Sequence, residues 1–136
     1  MYTFTVEGEP APQGSKKTFN KGGRCVLVES SKKVKPWRQA VAKAAKENIP
    51  QPLKGEIHLT VEFALPRTKA MGDKPAPPMI QRPDTDKLLR STFDGLSGAA
   101  YEDDSQVTRV TASKRRCLPD ETPGARIALW QPTKRS

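Results

Sequence analysis

Aromatic residues are scarce in this chain, 6% of 136 positions, and only 35% of residues are hydrophobic, so the core it can build is modest. One core is within reach at this length and two are not, so a single domain over residues 1–136 is expected. Contact with a second copy would then be a natural source of further burial. Cysteine is almost absent. Cys25 and Cys117 stand alone without a CxxC, and His58 is the one histidine, which leaves too few sulfur and imidazole ligands for a zinc site. Two isolated thiols fit a reducing, cytoplasmic setting better than a disulfide framework. No run approaches the ~18 apolar residues of a membrane span. The opening segment, Tyr2 to Glu7, alternates apolar and polar where a signal peptide would be continuously apolar, so no membrane role is expected. No internal repeat at a fixed period occurs.

What the chain does have is positive charge. Lys and Arg number 24 against 15 Asp and Glu, a formal net charge of +9. That balance attracts polyanions, either nucleic acid or an anionic membrane surface, and charge alone does not choose between them. Eight basic residues and one acid, Glu29, lie from Lys16 to Arg38. The stretch reads either as a solvated surface or as a phosphate-contacting arm, with Lys16 and Lys17 as candidate DNA contacts.

Periodicity predicts an α+β fold in the order ββαβαββ, a mixed sheet with two helices packed on it. Residues 2–8 form a strand, a Gly- and Lys-rich loop runs over 10–23, and a short strand lies near 25–29. A helix from Pro36 to Glu47 shows Trp37, Val41 and Ala44 on one face and stops before Pro50 and Pro52. Residues 56–64 are the clearest strand: Ile57, Leu59, Val61 and Phe63 share a face, and His58 lies on the polar face without a catalytic assignment. Residues 66–83 carry five prolines together with Arg67, Lys69, Lys74 and Arg82, and read as an exposed basic loop that packs no core. Arg67 and Lys69 join the candidate DNA contacts. A second helix over 84–96 shows Leu89, Phe93 and Leu96 on its apolar side, and strands follow at 106–113 and 125–130.

The acids are unevenly placed. Six of them, Asp84, Asp86, Asp94, Glu102, Asp103 and Asp104, fall within 21 residues, against about two for uniform spreading. Helix N-terminal capping accounts for Asp84 and Asp86, but not for the second group. A surface turn would account for that group by itself. If the returning strand lies beside the helix start, however, Asp84, Asp86 and Asp104 converge. Converging carboxylates repel one another and phosphate unless a hard divalent cation such as Mg²⁺ sits between them. Asp86, Arg90 and Asp94 stand four apart on one helix face, which reads either as an ion-pair ladder or as Arg90 placed to stabilise charge on a transferring phosphate.

The run RPDTDKLLRSTFDGLSGAAYEDDSQV, residues 82–107, resembles the signature of RusA-type Holliday junction resolvases, roughly PDxDNLxKxxxDAL followed by a short loop and DDxQV. A looser likeness extends through residues 110–115 and Pro123-Gly124 to the last strand, and to Gly14-Ser15-Lys16-Lys17. The resemblance implies a homodimeric endonuclease, bacterial or phage-encoded, that cuts four-way DNA junctions with Mg²⁺, for which Mn²⁺ would substitute. It implies Asp84, Asp86 and Asp104 as the metal-binding catalytic acids, with Asp103 as an accessory neighbour. Lys87 stands where the family usually has Asn, and Arg90 where it usually has Lys. Arginine keeps the charge but does not donate a proton near neutral pH. Lys87 and Lys114 are further cations for the DNA. Three alternatives stay open: a non-catalytic DNA-binding module, a nuclease for branched DNA more broadly, and an acidic-patch adaptor that would leave the +9 charge unexplained.

Overall fold

A computed structural model describes the backbone of residues 1–13, 16–21, 24–29 and 32–132, and the side chains of residues 1–13 and 32–132. In chain order the elements are β1 (Tyr2–Glu7), β2 (Lys16–Lys21), β3 (Arg24–Glu29), α1 (Val34–Asn48), β4 (Ile57–Leu65), α2 (Thr85–Leu96), β5 (Val107–Arg116) and β6 (Gly124–Trp130). The class is α+β, with a mixed four-stranded sheet and two helices, as the periodicity predicts. The expected order omits β2, which lies within the stretch read as a loop. Its sequence KKTFNK has too little apolar content to alternate visibly. What makes it a strand is backbone pairing along its whole length with β3, in a two-stranded sheet separate from the main one. The side chains of Lys16, Lys17 and Cys25, and the loop residues Gly14 and Ser15, lie outside the described residues.

The main sheet runs β1-β6-β4-β5, antiparallel except for the parallel pair β4–β5. β4 is central, and its alternation is realised as expected: Ile57, Leu59, Val61 and Phe63 are buried, while His58, Thr60 and Glu62 face the other side. Helix α1 begins at Val34 and carries Pro36 in its first turn, where the missing N–H leaves no hydrogen bond unmade. Val34, Trp37, Val41 and Ala45 recur at helical spacing and form its buried face. Trp37 meets Phe63 with ring centroids 6.4 Å apart.

Helix α2 is turned relative to its apolar pattern. Leu88, Ser91, Thr92, Gly95 and Leu96 are buried, and the expected anchors Leu89 and Phe93 are only half-buried. The reason is hydrogen bonding. The Thr92 hydroxyl donates to Leu88 O at 2.9 Å and accepts from Trp37 Nε1 at 3.2 Å, and the Ser91 hydroxyl lies 2.5 Å from Ala11 O. Satisfied hydroxyls can be buried, so the inward face includes residues that a hydropathy pattern places outside. Together with Gln13 N, which donates to Lys87 O at 2.9 Å, these bonds lay the segment after β1 along α2.

The loop over 66–83 is largely exposed as expected, yet it contributes Met79 to the core. Arg67 organises its first half: Nη1 donates to Cys117 O at 2.8 Å, Nη2 donates to Gly72 O at 3.0 Å, and Nη2 also reaches Lys74 O. On the outer face of the sheet Arg115 Nη2 donates to Glu121 Oε2 at 2.8 Å and to Glu62 Oε1 at 3.2 Å. The Arg115 hydrogen bond holds the Glu121 carboxyl down at about 2. A carboxyl held below its unfolded value contributes stability above that unfolded value, and the contribution disappears as pH falls through the folded one. Acidification from about 4.5 toward 2 should therefore remove about 1 kcal/mol or less, the range of a partly exposed ion pair. Melting curves against pH should show this loss in the parent chain and a flatter acid limb in Glu121→Gln; identical acid limbs would detach the pair from stability.

Candidate active site

Asp84 is the N-cap residue of α2 by position, with extended backbone, and its carbonyl accepts from Leu88 N at 3.0 Å. Its carboxylate, however, makes no capping hydrogen bond. Capping therefore does not occupy the acid that it was expected to explain. Asp86 follows in the first turn, and both side chains are exposed. Beside them opens a cleft of about 730 Å³ whose lining includes Asp84 and the cations Lys33, Arg67, Arg82, Lys87 and Arg116. Arg116 donates through Nη1 to Pro66 O at 2.8 Å, while its buried Nε has no partner among the described residues. Sequence reasoning does not single out Lys33, Arg82 or Arg116 as site residues. They come from three separate segments; Lys33 and Arg82 lie in the two basic stretches noted above, and only the overall +9 charge points to Arg116.

The entrance to α2 is fixed from behind. Lys114 Nζ donates to Gln81 O at 2.7 Å and to Pro83 O at 2.8 Å, tying the residues before Asp84 to the end of β5. Two side chains expected to contact DNA, Arg67 and Lys114, are thus bound to backbone carbonyls and shape the loop that presents Asp84. Lys69 and Arg90 are exposed, and among the described residues Arg90 forms no ion pair with Asp86 or Asp94. Asp94 instead lies 3.7 Å from Arg38 Nε of α1, so the ladder along α2 does not form.

The second acidic group is built differently. Asp103 Oδ2 accepts from Ser105 N at 3.0 Å, and the Gln106 side chain accepts from Asp103 N at 2.9 Å, a reciprocal cap on the short 3-10 turn Asp104–Gln106. Hydrogen bonds from the Ser105 side chain and then from its backbone N–H lower the Asp103 carboxyl below its ordinary value. Gln106 Nε2 also donates to Leu53 O at 3.0 Å and Gly55 O at 2.9 Å, which anchors the turn to the start of β4. Capping does account for Asp103, contrary to expectation, and leaves Asp104 exposed beside it. Behind this turn Tyr101 is fully buried; burial first, then the Asp104 carboxylate, raises its hydroxyl well above the usual tyrosine range and keeps it protonated.

The expected convergence of Asp84, Asp86 and Asp104 does not occur within one chain. The strand returns antiparallel to the helix, so Asp104 precedes β5 at the C-terminal end of α2, whereas Lys114 brings the far end of β5 to the N-terminus of α2. Helix α2 is 12 residues long, about 18 Å from end to end at the helical rise. Accordingly, no group of three or more His, Cys, Asp or Glu among the described residues is disposed to hold a metal ion. Each end offers exposed carboxylate oxygens of the kind a hard cation prefers, but a single chain does not assemble the set.

Residues 7–129 match the family described as endodeoxyribonuclease RusA. The chain belongs to that family. No curated protein matches it. The RusA match takes in both the Asp84 end and the Asp104 end and nearly the whole fold, well beyond the run 82–107. It makes the chain a member of a nuclease family. Among the described residues no helix is long and apolar enough to cross a membrane.

Proposed function

We propose that this RusA-family chain is an endonuclease that resolves Holliday junctions, hydrolysing phosphodiester bonds at four-way DNA branches as a homodimer with Mg²⁺, or Mn²⁺ in its place, as cofactor. The observation that carries this reading is the Asp84 carboxylate, left without a capping bond at a helix entrance that opens onto a cation-lined cleft. A carboxylate kept away from capping and set among Arg82, Lys87 and Arg116 is placed for work at a phosphate backbone. Asp84, Asp86 and Asp104 are the proposed catalytic and metal-binding acids. Arg90, one turn beyond Asp86, is proposed to stabilise charge on the phosphate and, being an arginine, does not serve as a proton donor. A cytoplasmic setting in a bacterium or phage-infected cell belongs to the same reading.

The deciding experiment offers purified protein a labelled four-way junction and a matched linear duplex, with Mg²⁺ and with EDTA. Paired nicks near the branch are expected with Mg²⁺ only. Tight binding without cutting in Mg²⁺ would make the chain a DNA-binding module, and equal cutting of forks, flaps and junctions would make it a broader branched-DNA nuclease.

Binding itself should be salt-sensitive. Lys16, Lys17 and Lys69 are proposed to neutralise phosphates, and removing any one of these cations should flatten the log–log salt dependence by roughly 0.9 on duplex DNA. The triple alanine variant is therefore expected to bind more weakly with a shallower slope, and an unchanged slope would place those lysines away from DNA. Arg67→Ala should act differently, increasing protease cleavage within the loop 67–74 that its guanidinium holds.

A further inference from the structure

The cleft beside Asp84 joins two chemistries. Its floor is apolar: Pro10, Ala11, Leu65 and Met79, all buried, come from the segment after β1, the end of β4 and the loop before α2. Its rim is charged, and apart from Asp84 and from Glu9, which is paired with Lys33 at 3.0 Å, that charge is positive. Among the described residues no aromatic side chain lines it. At about 730 Å³ the cleft falls within the range of sites that enclose small molecules. An intact duplex has no use for such a hollow. It shows phosphates and base edges outward and keeps the flat faces of its bases stacked inside, so cations would serve it and an apolar floor would not. A nucleotide lifted out of the stack has both parts, an apolar base face and an anionic phosphate.

We propose that the cleft receives one nucleotide unstacked from the branch point of the DNA, its base on the apolar floor and its phosphate among Arg82, Lys87 and Arg116. This rests on the nuclease reading above and names the part of the substrate that the cleft takes. Unstacking costs least where the regular duplex is already interrupted, and a branch point is such a place, so the cleft favours junctions over linear DNA. The hollow is held in shape from within the chain. Ala11 O accepts from the Ser91 hydroxyl of α2, Gln13 N donates to Lys87 O, and Lys114 Nζ holds Gln81 O and Pro83 O. These ties fix the floor relative to Asp84, so a base seated there sets the adjoining phosphate at the entrance of α2. Gln13 and Thr68, also in the lining, supply polar groups for the base edge.

The test places 2-aminopurine, a base that fluoresces when unstacked, at each nucleotide around the branch of a four-way junction in turn. The same positions are labelled in linear duplex, and the wild-type chain is added in EDTA. Severalfold brightening is expected at one position in each cut strand of the junction and at none in the duplex. With no aromatic ring in the described lining to stack on it, the seated base should stay bright, and the cleft should shield it from acrylamide. Ala11→Leu fills the floor and is expected to bind the junction through the same cations while losing the brightening. Absence of brightening in a bound junction overturns the inference. So does a bright base that acrylamide quenches as freely as in single-stranded DNA, a measurement that needs no variant, or brightening that persists in a folded Ala11→Leu chain. Displacement of the labelled base by a free deoxynucleoside monophosphate at micromolar concentration would assign the cleft to a soluble nucleotide and overturn it as well. Cutting of unlabelled junction in Mg²⁺ is measured in parallel. Cutting without a shielded base leaves the nuclease reading standing and the inference overturned, whereas a shielded base without cutting supports the inference and removes that reading.

Discussion

Asp104→Asn is expected to abolish junction cleavage while leaving junction binding intact or tighter. The substitution preserves size and the hydrogen-bonding outline of the side chain but removes one negative charge close to where phosphate must lie, so repulsion falls and affinity should not. Removing a partner that merely supports a metal ligand costs about 10–100-fold in affinity or activity, and loss of an acid proposed to act directly should exceed that. Single-turnover nicking of a labelled junction in Mg²⁺, with binding measured separately in EDTA, gives both quantities. Asp103→Ala supplies the contrast, since asparagine would keep the cap. Asp103 is engaged in the cap of the turn at Asp104, so its loss should disorder that turn on heating and leave low-temperature cleavage close to the parent rate. Near wild-type cutting by Asp104→Asn would remove it from the mechanism, and equal losses from both substitutions would assign Asp104 to the turn's structure.

The second large effect is expected at Gly95, where α2 packs directly against Arg38 and Val41 of α1. A Cβ added there would lie 2.8 Å from Val41 Cβ and 2.9 Å from the Arg38 carbonyl oxygen, and the second of these belongs to backbone that cannot rotate away. Two effects compete. Replacing glycine in a helix interior by alanine gains about 0.5–1 kcal/mol of conformational preference. Overpacking a close contact costs about 1–3 kcal/mol, so overlap wins and Gly95→Ala should destabilise modestly. Gly95→Val adds two methyl groups and β-branching, and should cost about 3 kcal/mol, lowering the melting temperature by about 10 °C. Because α2 carries Asp84 and Asp86 on its exposed side, a forced displacement of the helix should also slow cleavage at temperatures where the chain is still folded. A Gly95→Val variant as stable as the parent would show that the two helices are free to separate.

Much of the fold is legible locally. The four-fold alternation of Ile57, Leu59, Val61 and Phe63 specifies a half-buried strand, the spacing of Trp37, Val41 and Ala44 specifies an amphipathic helix, although its buried face runs through Ala45 and leaves Ala44 half-buried, and the acidic run from Asp84 to Asp104 marks the region of chemistry. These follow from periods of two and 3.6 residues, which a sequence displays directly. β2 escapes such a reading because its ladder with β3 depends on backbone groups and leaves no side-chain pattern. Hydropathy misplaces the inward face of α2 because Ser91 and Thr92 are buried through hydrogen bonds to Leu88 O, Ala11 O and Trp37 Nε1, two of these partners lying far off in sequence.

By itself, then, the sequence determined the α+β class, the two helices and the strands of the main sheet, the basic character and the RusA resemblance, all properties of local spacing, composition or motif order. Tertiary structure decided which acids and cations are occupied and where they stand. Asp84 is at a cap position without capping, Asp103 caps, and Arg67 and Lys114 bind carbonyls reached only when strand β5 lies beside the loop before α2. Above all it decided that Asp104 lies at the opposite end of α2 from Asp84. The physical reason is direction: a chain leaving a helix by a short turn runs back antiparallel to it, so residues close to the turn stay at the helix's far end however near in sequence they are to its start.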